Sequence, residues 1–402
     1  MRTSRTFRLE PPRLRTTETE SERHTTWFEL FFDLVFVAAV SQLAAALARD
    51  PSGAEFARFA GLFVVVWWAW LGFALYANRF DTDDVIYRGV KSAAALAIAA
   101  VAIDLHRVMA GDGGTVAFAA GYAVVRALLV ALYIRARLHI RGEGRRLVDL
   151  YAAEFSLTTA MWVASIFLAE PYRVLVWGLA IAIDLSMPPL GWRTLEGAPI
   201  VVSHVTDRLG TFFIIVLGES VVAVVAGVAG FEFSFHSWAV AAICFLIALC
   251  LWWIYFDLAD TSVLGRGLLG LVYLYGHPLL LAGVATCGAG TKLAITEAAD
   301  AGLAAGARWA LAGGIAAFVL ALALFHIGAE WTSTRDPTFI GRLVVAAVAI
   351  VLAAAGGGIS PLAFVALLAA ATLGQLLLEA FTFPEGAATI WVAPQFTEES
   401  AG

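Results

Sequence analysis

About twelve times along this 402-residue chain a run of roughly 20 predominantly apolar residues recurs, with only short polar stretches between runs. That is the length a helix needs to cross the hydrocarbon core of a bilayer. Lipid offers no water to satisfy a backbone N–H or C=O, so such a run has one local solution, an α-helix that bonds to itself. The spans are predicted near residues 27–48, 56–79, 88–106, 115–136, 147–169, 172–191, 208–229, 237–257, 266–288, 302–327, 338–356 and 359–381. The predicted fold class is all-α, a polytopic integral membrane helical bundle of about twelve transmembrane helices. Composition excludes a soluble domain, with 61% of residues hydrophobic, 14% charged and a mean hydropathy of +0.82.

Span order divides the chain. Residues 1–26 carry six arginines and two adjacent prolines and read as a disordered, basic cytoplasmic tail. No signal peptide precedes the first apolar run, so the first helix is expected to act as an uncleaved anchor. Residues 27–194 form a first six-helix repeat, 195–384 a second, and 385–402 a short cytoplasmic C-terminal tail. An even number of spans per half gives both copies the same orientation. "FFDLVF" from Phe31 is matched by "FFIIVL" from Phe212, and "WWAW" from Trp67 by "WWIY" from Trp252, each at the corresponding span.

Nineteen of the 26 lysines and arginines fall on one side if the N-terminus is inside, so both termini are expected to be cytoplasmic. The loop "RARLHIRGEGRR" from Arg135 is the strongest determinant and reads as a topology anchor, not as a nucleic-acid site. The expected setting is the lipid bilayer of a bacterial plasma (inner) membrane, with no nucleic-acid partner and with a homo-oligomer left open. Cys244, Cys250 and Cys287 lie in apolar segments and suggest neither a disulfide framework nor a metal site.

Charges inside the spans carry the functional information, because each costs from about 3 to more than 10 kcal/mol at membrane depth. Glu29 and Asp33 are four residues apart and share one face of span 1. In span 7, Arg208 and Glu219 share a stripe, with Glu219 roughly 16 Å further along the axis. Arg126 in span 4 and His277 in span 9 reach the same depth as Glu219. The economical arrangement is a Glu219–Arg126 ion pair with His277 nearby and Pro278 breaking its helix. Glu29, Asp33, Glu154, Asp184, Asp257 and Glu379 lie in or at the cytoplasmic half of spans, where together they read as a wetted, cation-attracting vestibule or as helix ends facing water.

"WFELFFDLVFV" with the following "SQLA", together with "DRLGTFFIIVLGESVVAV" from Asp207, resembles the bacterial low temperature requirement A (LtrA) family, a family of multi-pass bacterial membrane proteins. The likeness covers nearly the whole chain and implies localisation and architecture. A second similarity is to the endolysosomal potassium channels and their bacterial relatives, whose first helix carries Arg-x-x-x-Phe-Ser-Asp. Phe31-Phe32-Asp33 keeps the Phe and Asp, and Arg208-x-x-x-Phe212 keeps the arginine. That similarity implies that Arg208 meets Glu29 or Asp33 across the interface of the halves.

The expectation is a cation or proton-coupled transporter or channel whose path is lined by Glu29, Asp33, Arg126, Arg208, Glu219 and His277. The acidic "NRFDTDDVIYRG" after span 2 departs from the Gly-x-x-x-Asp-Arg-x-Gly loop of the major facilitator superfamily. The alternative is a membrane-embedded enzyme or a lipid or cold-adaptation factor whose buried charges are structural ion pairs. The sequence holds no Ser-His-Asp set, His-Glu-x-x-His, phosphate loop or Cys-x-x-Cys. No catalytic residue, metal or cofactor is expected.

Overall fold

The computed structural model describes residues 9–15, 25–142, 144–191, 201–229, 234–258, 270–328 and 335–382, with the side chains of Ala229, Asp257 and Leu258 outside that description. The described residues are almost wholly helical. The helices are α1 (Trp27–Arg49), α2 (Gly53–Arg79), α3 (Val85–Met109), α4 (Thr115–His139), α5 (Gly144–Ser165), α6 (Tyr172–Leu190), α7 (Val202–Ala229), α8 (Phe235–Leu258) and α9 (Gly270–Thr296). After these come α10, which runs from Ala305–Arg308 through a π-helical turn at Trp309–Gly313 into Gly314–Gly328, then α11 (Pro337–Ala355) and α12 (Pro361–Thr382). Among the described residues, eleven of these helices are long and apolar enough to cross a membrane. The exception, α5, has sufficient length at 22 residues but carries Asp149 and Glu154 within its apolar stretch.

Several helices start where side chains cap their free N–H groups. Ser52 caps α2, Asp84 caps α3, and Asp336 caps α11 with Pro337 behind it. Thr26 and Glu29 form a reciprocal capping box on α1, in which the Thr26 side chain accepts from the Glu29 N–H and the Glu29 carboxylate from the Thr26 N–H.

The chain forms two compact units, Met1–Val216 and Leu217–Gly402. Their division falls inside α7, later than the 194/195 boundary that span counting suggests. In the first unit α2 is buried on every side from Val65 to Arg79 and serves as the central helix. Helix α1 packs on α2 and α3, and α3 on α4, α4 on α5 and α5 on α6. In the second unit α9 packs most extensively on α10, α10 on α11, α11 on α12, and α8 on both α9 and α12.

Two local expectations change. Within the arm expected to be disordered, Arg13–Leu14 pairs antiparallel with Phe80–Asp81, and the Arg15 N–H donates to the Arg79 carbonyl. Pro11 and Pro12 favour the extended backbone that this pairing requires. Helix α9 also continues through Pro278 without a break. Proline removes one N–H from the ladder, and the helix closes over the gap where its neighbours hold it on both sides.

Candidate functional site: buried charge clusters

Among the described residues, three clusters of opposite charge are buried between helices. The first joins the starts of α1 and α7. Asn78, at the end of α2, receives the Val201 N–H at 3.2 Å and donates to the Val201 carbonyl at 2.9 Å, which fixes the entry into α7. One turn further on, His204 and Arg208 face Glu29 and Asp33. Arg208 Nη2 donates to Asp33 Oδ1 at 2.5 Å, and Arg208 Nη1 lies 3.8 Å from Glu29 Oε1. The Trp70 indole N–H donates to the same Asp33 oxygen at 2.7 Å.

His204 Nδ1 lies 3.3 Å from the Asn78 amide nitrogen, so it accepts there, and its Nε2 faces Glu29 Oε1 at 3.5 Å. Lys91 on α3 places its ammonium 4.6 Å from the Phe32 ring centre, near enough for its charge to act on Asp33. Two acids thus face the Arg208 guanidinium and the Lys91 side chain, which offsets the repulsion between Glu29 and Asp33. Both acids are at most 1% exposed. Trp67, Trp70 and Phe212 pack around the cluster, with Trp70 and Phe212 ring centres 4.6 Å apart.

The second cluster lies among α4, α5 and α6. Arg126 Nη2 donates to Asp184 Oδ1 at 2.7 Å and to Thr158 Oγ1 at 2.8 Å, and both charged residues are fully buried. The Phe155 ring lies 4.6 Å from the guanidinium carbon, and Glu154 flanks the pair. Asp184 is therefore the partner of Arg126, in place of the expected Glu219. Equal depth gives a residue's height along a helix but not the direction in which it points.

The third cluster is in the second unit. Arg342 on α11 and Glu379 on α12 form two parallel bonds of 2.8 Å each. Gln375 donates to Glu379 at 2.6 Å, and Arg342 Nη1 donates to the Leu322 carbonyl at 2.9 Å. Every guanidinium nitrogen and carboxylate oxygen of this pair has a hydrogen-bond partner.

The remaining expected residues fall elsewhere. Glu219 is half-buried on α7. His277 is buried beside aromatic rings: its Nδ1–H donates to the Tyr273 carbonyl at 2.6 Å, the Tyr255 hydroxyl donates to its Nε2 at 3.0 Å, and Phe325 stacks on it. The side chain of Asp257 is outside the described residues. Glu29, Asp33, Asp184 and Glu379 each meet an arginine in a buried setting. Among the described residues, no three His, Cys, Asp or Glu side chains are grouped to hold a metal ion.

The sequence model of a family described as "Bacterial low temperature requirement A protein (LtrA)" matches residues 24–377. The chain belongs to this family. That range takes in the first two clusters whole and Arg342 and Gln375 of the third, and it ends just before Glu379. A curated relative, the uncharacterized protein RA0937 of Rhizobium meliloti (strain 1021), is 27% identical over 296 residues, covering 66% of this chain and 71% of that protein. The chain is thus an LtrA-family protein of many apolar helices, and the family description names a requirement in the cold, not a chemical activity.

Trp70, Lys91, His204, Thr158 and Arg342 escaped the sequence reading. Arg79, Lys91, Arg208 and Arg342 stand near span ends, where basic residues read as loop charge, yet all four are buried within helices. Their evidence is for packing, not for topology. One local signal was legible: Thr26-x-x-Glu29 ahead of an apolar run is a capping-box signature, and it accounts for one oxygen of Glu29.

Proposed function

We propose that this LtrA-family protein moves a proton or small cation across the bacterial inner membrane, with both termini cytoplasmic. In this reading the two six-helix halves are repeats of one orientation. The Glu29–Asp33–Arg208 cluster is the gate of the path, and Glu219 is a second acid further along α7. One contrast carries the reading. The Arg342–Glu379 pair has every charged atom satisfied, as a pair that only fixes helix packing should. In the first cluster Asp33 Oδ2, Arg208 Nε and Arg208 Nη1 have no hydrogen-bond partner among the described residues, although they are inaccessible to solvent. Each such atom costs about 1–3 kcal/mol or more. A structure retains that cost where the site works on something.

The test is flux in proteoliposomes holding wild type, Asp33→Asn, Glu219→Gln or Glu379→Gln, with proton and potassium gradients imposed separately. Asp33→Asn and Glu219→Gln should abolish flux, while Glu379→Gln should leave it intact. Normal flux through folded Asp33→Asn protein would remove the first cluster from the path, and no flux in wild type would end the transport reading.

A further inference from the structure

In the compartment among α4, α5 and α6, two carboxyl groups share one guanidinium, so the charges do not balance. Arg126 and Asp184 are fully buried, and both carboxyl oxygens of Glu154 are inaccessible to solvent. Taken as carboxylates, both oxygens of Glu154 and Oδ2 of Asp184 have no donor among the described residues, and Arg126 Nε and Nη1 have no acceptor. Yet Glu154 stands one turn before Thr158 on α5, and Thr158 and Asp184 take the same Arg126 nitrogen, so the Glu154 carboxyl stands against that of Asp184. Two carboxylates at that distance only repel, whereas an acid and a carboxylate form an O–H···O⁻ bond, among the strongest available to side chains.

Among the described residues, the groups facing this pair supply no second cation. From α4 come Arg126 and Tyr122, whose hydroxyl already donates to the Val65 carbonyl at 3.0 Å. From α5 comes Thr158, an acceptor for Arg126. Aromatic rings adjoin the site: Phe155 lies over the guanidinium, and Trp162 lies 4.2 Å from Tyr122 and 5.2 Å from Trp177. A buried charge without a partner is relieved by taking up a proton from solvent.

We propose that Glu154 and Asp184 share one proton at neutral pH, so that Arg126, Glu154 and Asp184 form an occluded proton-binding site separate from the Asp33–Arg208 cluster. The proton lies between the two carboxyls, and the remaining negative charge faces Arg126. The site's net charge is then zero, and each acid has a partner. Nothing in this assignment depends on the transport reading.

Infrared difference spectroscopy on the full-length protein in lipid nanodiscs tests it. Wild type at neutral pH should show the C=O stretch of a protonated carboxyl group, above the amide band. Glu154→Gln and Asp184→Asn each leave one carboxylate for one guanidinium, so the band should vanish from both. A band that survives in either variant overturns the proposal, because a shared proton needs both groups. Where a variant fails to fold, wild type labelled with ¹³C-glutamate or ¹³C-aspartate replaces it. The band should then shift with at least one label, and a band that shifts with neither, or no band at all, overturns the proposal. The readout requires no flux, so it stands or falls apart from the transport assay.

Discussion

Arg208 Nη2 and the Trp70 indole N–H both donate to Oδ1 of Asp33, at 2.5 and 2.7 Å, and neither donates to its Oδ2. The carboxylate is pinned by one oxygen, while Glu29 stands 3.8 Å from the same guanidinium as a second acid. Removing Asp33 would therefore leave Arg208 with a weaker but not absent counter-charge.

From that arrangement, Asp33→Asn should destabilise the protein by about 3 kcal/mol, the low end for breaking a buried pair from one side. The additional change Glu29→Gln should cost more than its single-mutant effect, because it removes the last acid facing Arg208. A double-mutant cycle on thermal unfolding in nanodiscs reads this coupling. Strictly additive costs would show that Glu29 does not take over from Asp33.

Glu379→Gln breaks a bidentate, fully satisfied pair and strands Arg342 beside the Leu322 carbonyl. Expected is a stability loss of about 3–5 kcal/mol. Changing both residues to apolar side chains of similar volume should recover much of it. An unfolding series over the single and double variants checks the point, and a double variant no better than Glu379→Gln would sink it.

Most helix positions were legible in the sequence because length and apolarity are what a bilayer selects. The two largest departures have physical causes. Helix α7 starts at Val202, not near 208, because the polar residues His204, Thr206 and Arg208 are buried against other helices of the first unit and not left in a loop. Helix α9 extends to Thr296, past 288, through a Gly- and Thr-containing stretch whose hydropathy is low. There Gly290 lets the Leu311 backbone approach, which no apolarity measure registers. The candidate site was legible only in part. Arg126 was recognised as a buried cation, but Asp184 became its partner through the rotation of α6, which a linear sequence does not carry.

Close approach of α9 and α10 gives a further prediction. A Cβ on Gly283 would stand 2.6 Å from the Gly314 carbonyl oxygen, and one on Gly314 would stand 2.5 Å from the Gly283 carbonyl oxygen. The two glycines are a reciprocal contact of the kind that lets membrane helices pack backbone to backbone. Gly283→Ala should cost about 1–3 kcal/mol by overpacking. Gly374→Ala, where a Cβ meets nothing within 4 Å, is the control and should be silent. Equal unfolding temperatures for the two variants would contradict the close contact.

The N-terminal strand gives the last prediction, a dependence on pH outside the membrane. Asp84 caps α3, receives two bonds from Arg135 at 2.7 and 2.9 Å, and receives the Glu10 N–H at 3.3 Å, so it holds residues 9–15 against the end of α2. Burial alone would push its carboxyl up, but the bonds from Arg135 and the Tyr87 N–H outweigh burial and hold it below the usual value of 3.8. Because its folded value lies below the unfolded one, Asp84 stabilises the clasp fully above the unfolded value, and that contribution is lost as pH falls through the folded one. The clasp should therefore be closed at neutral pH and should open only in acid below the ordinary carboxylate range. Asp84→Asn retains a good helix cap and removes the charge, with an expected loss of about 1.5–3 kcal/mol in the bonds from Arg135, or a roughly ten- to hundredfold rise in opening. Hydrogen exchange of residues 9–15 at neutral pH measures that opening directly. Exchange as slow in Asp84→Asn as in wild type would mean that strand pairing with Phe80 and Asp81, and not the carboxylate, holds the arm in place.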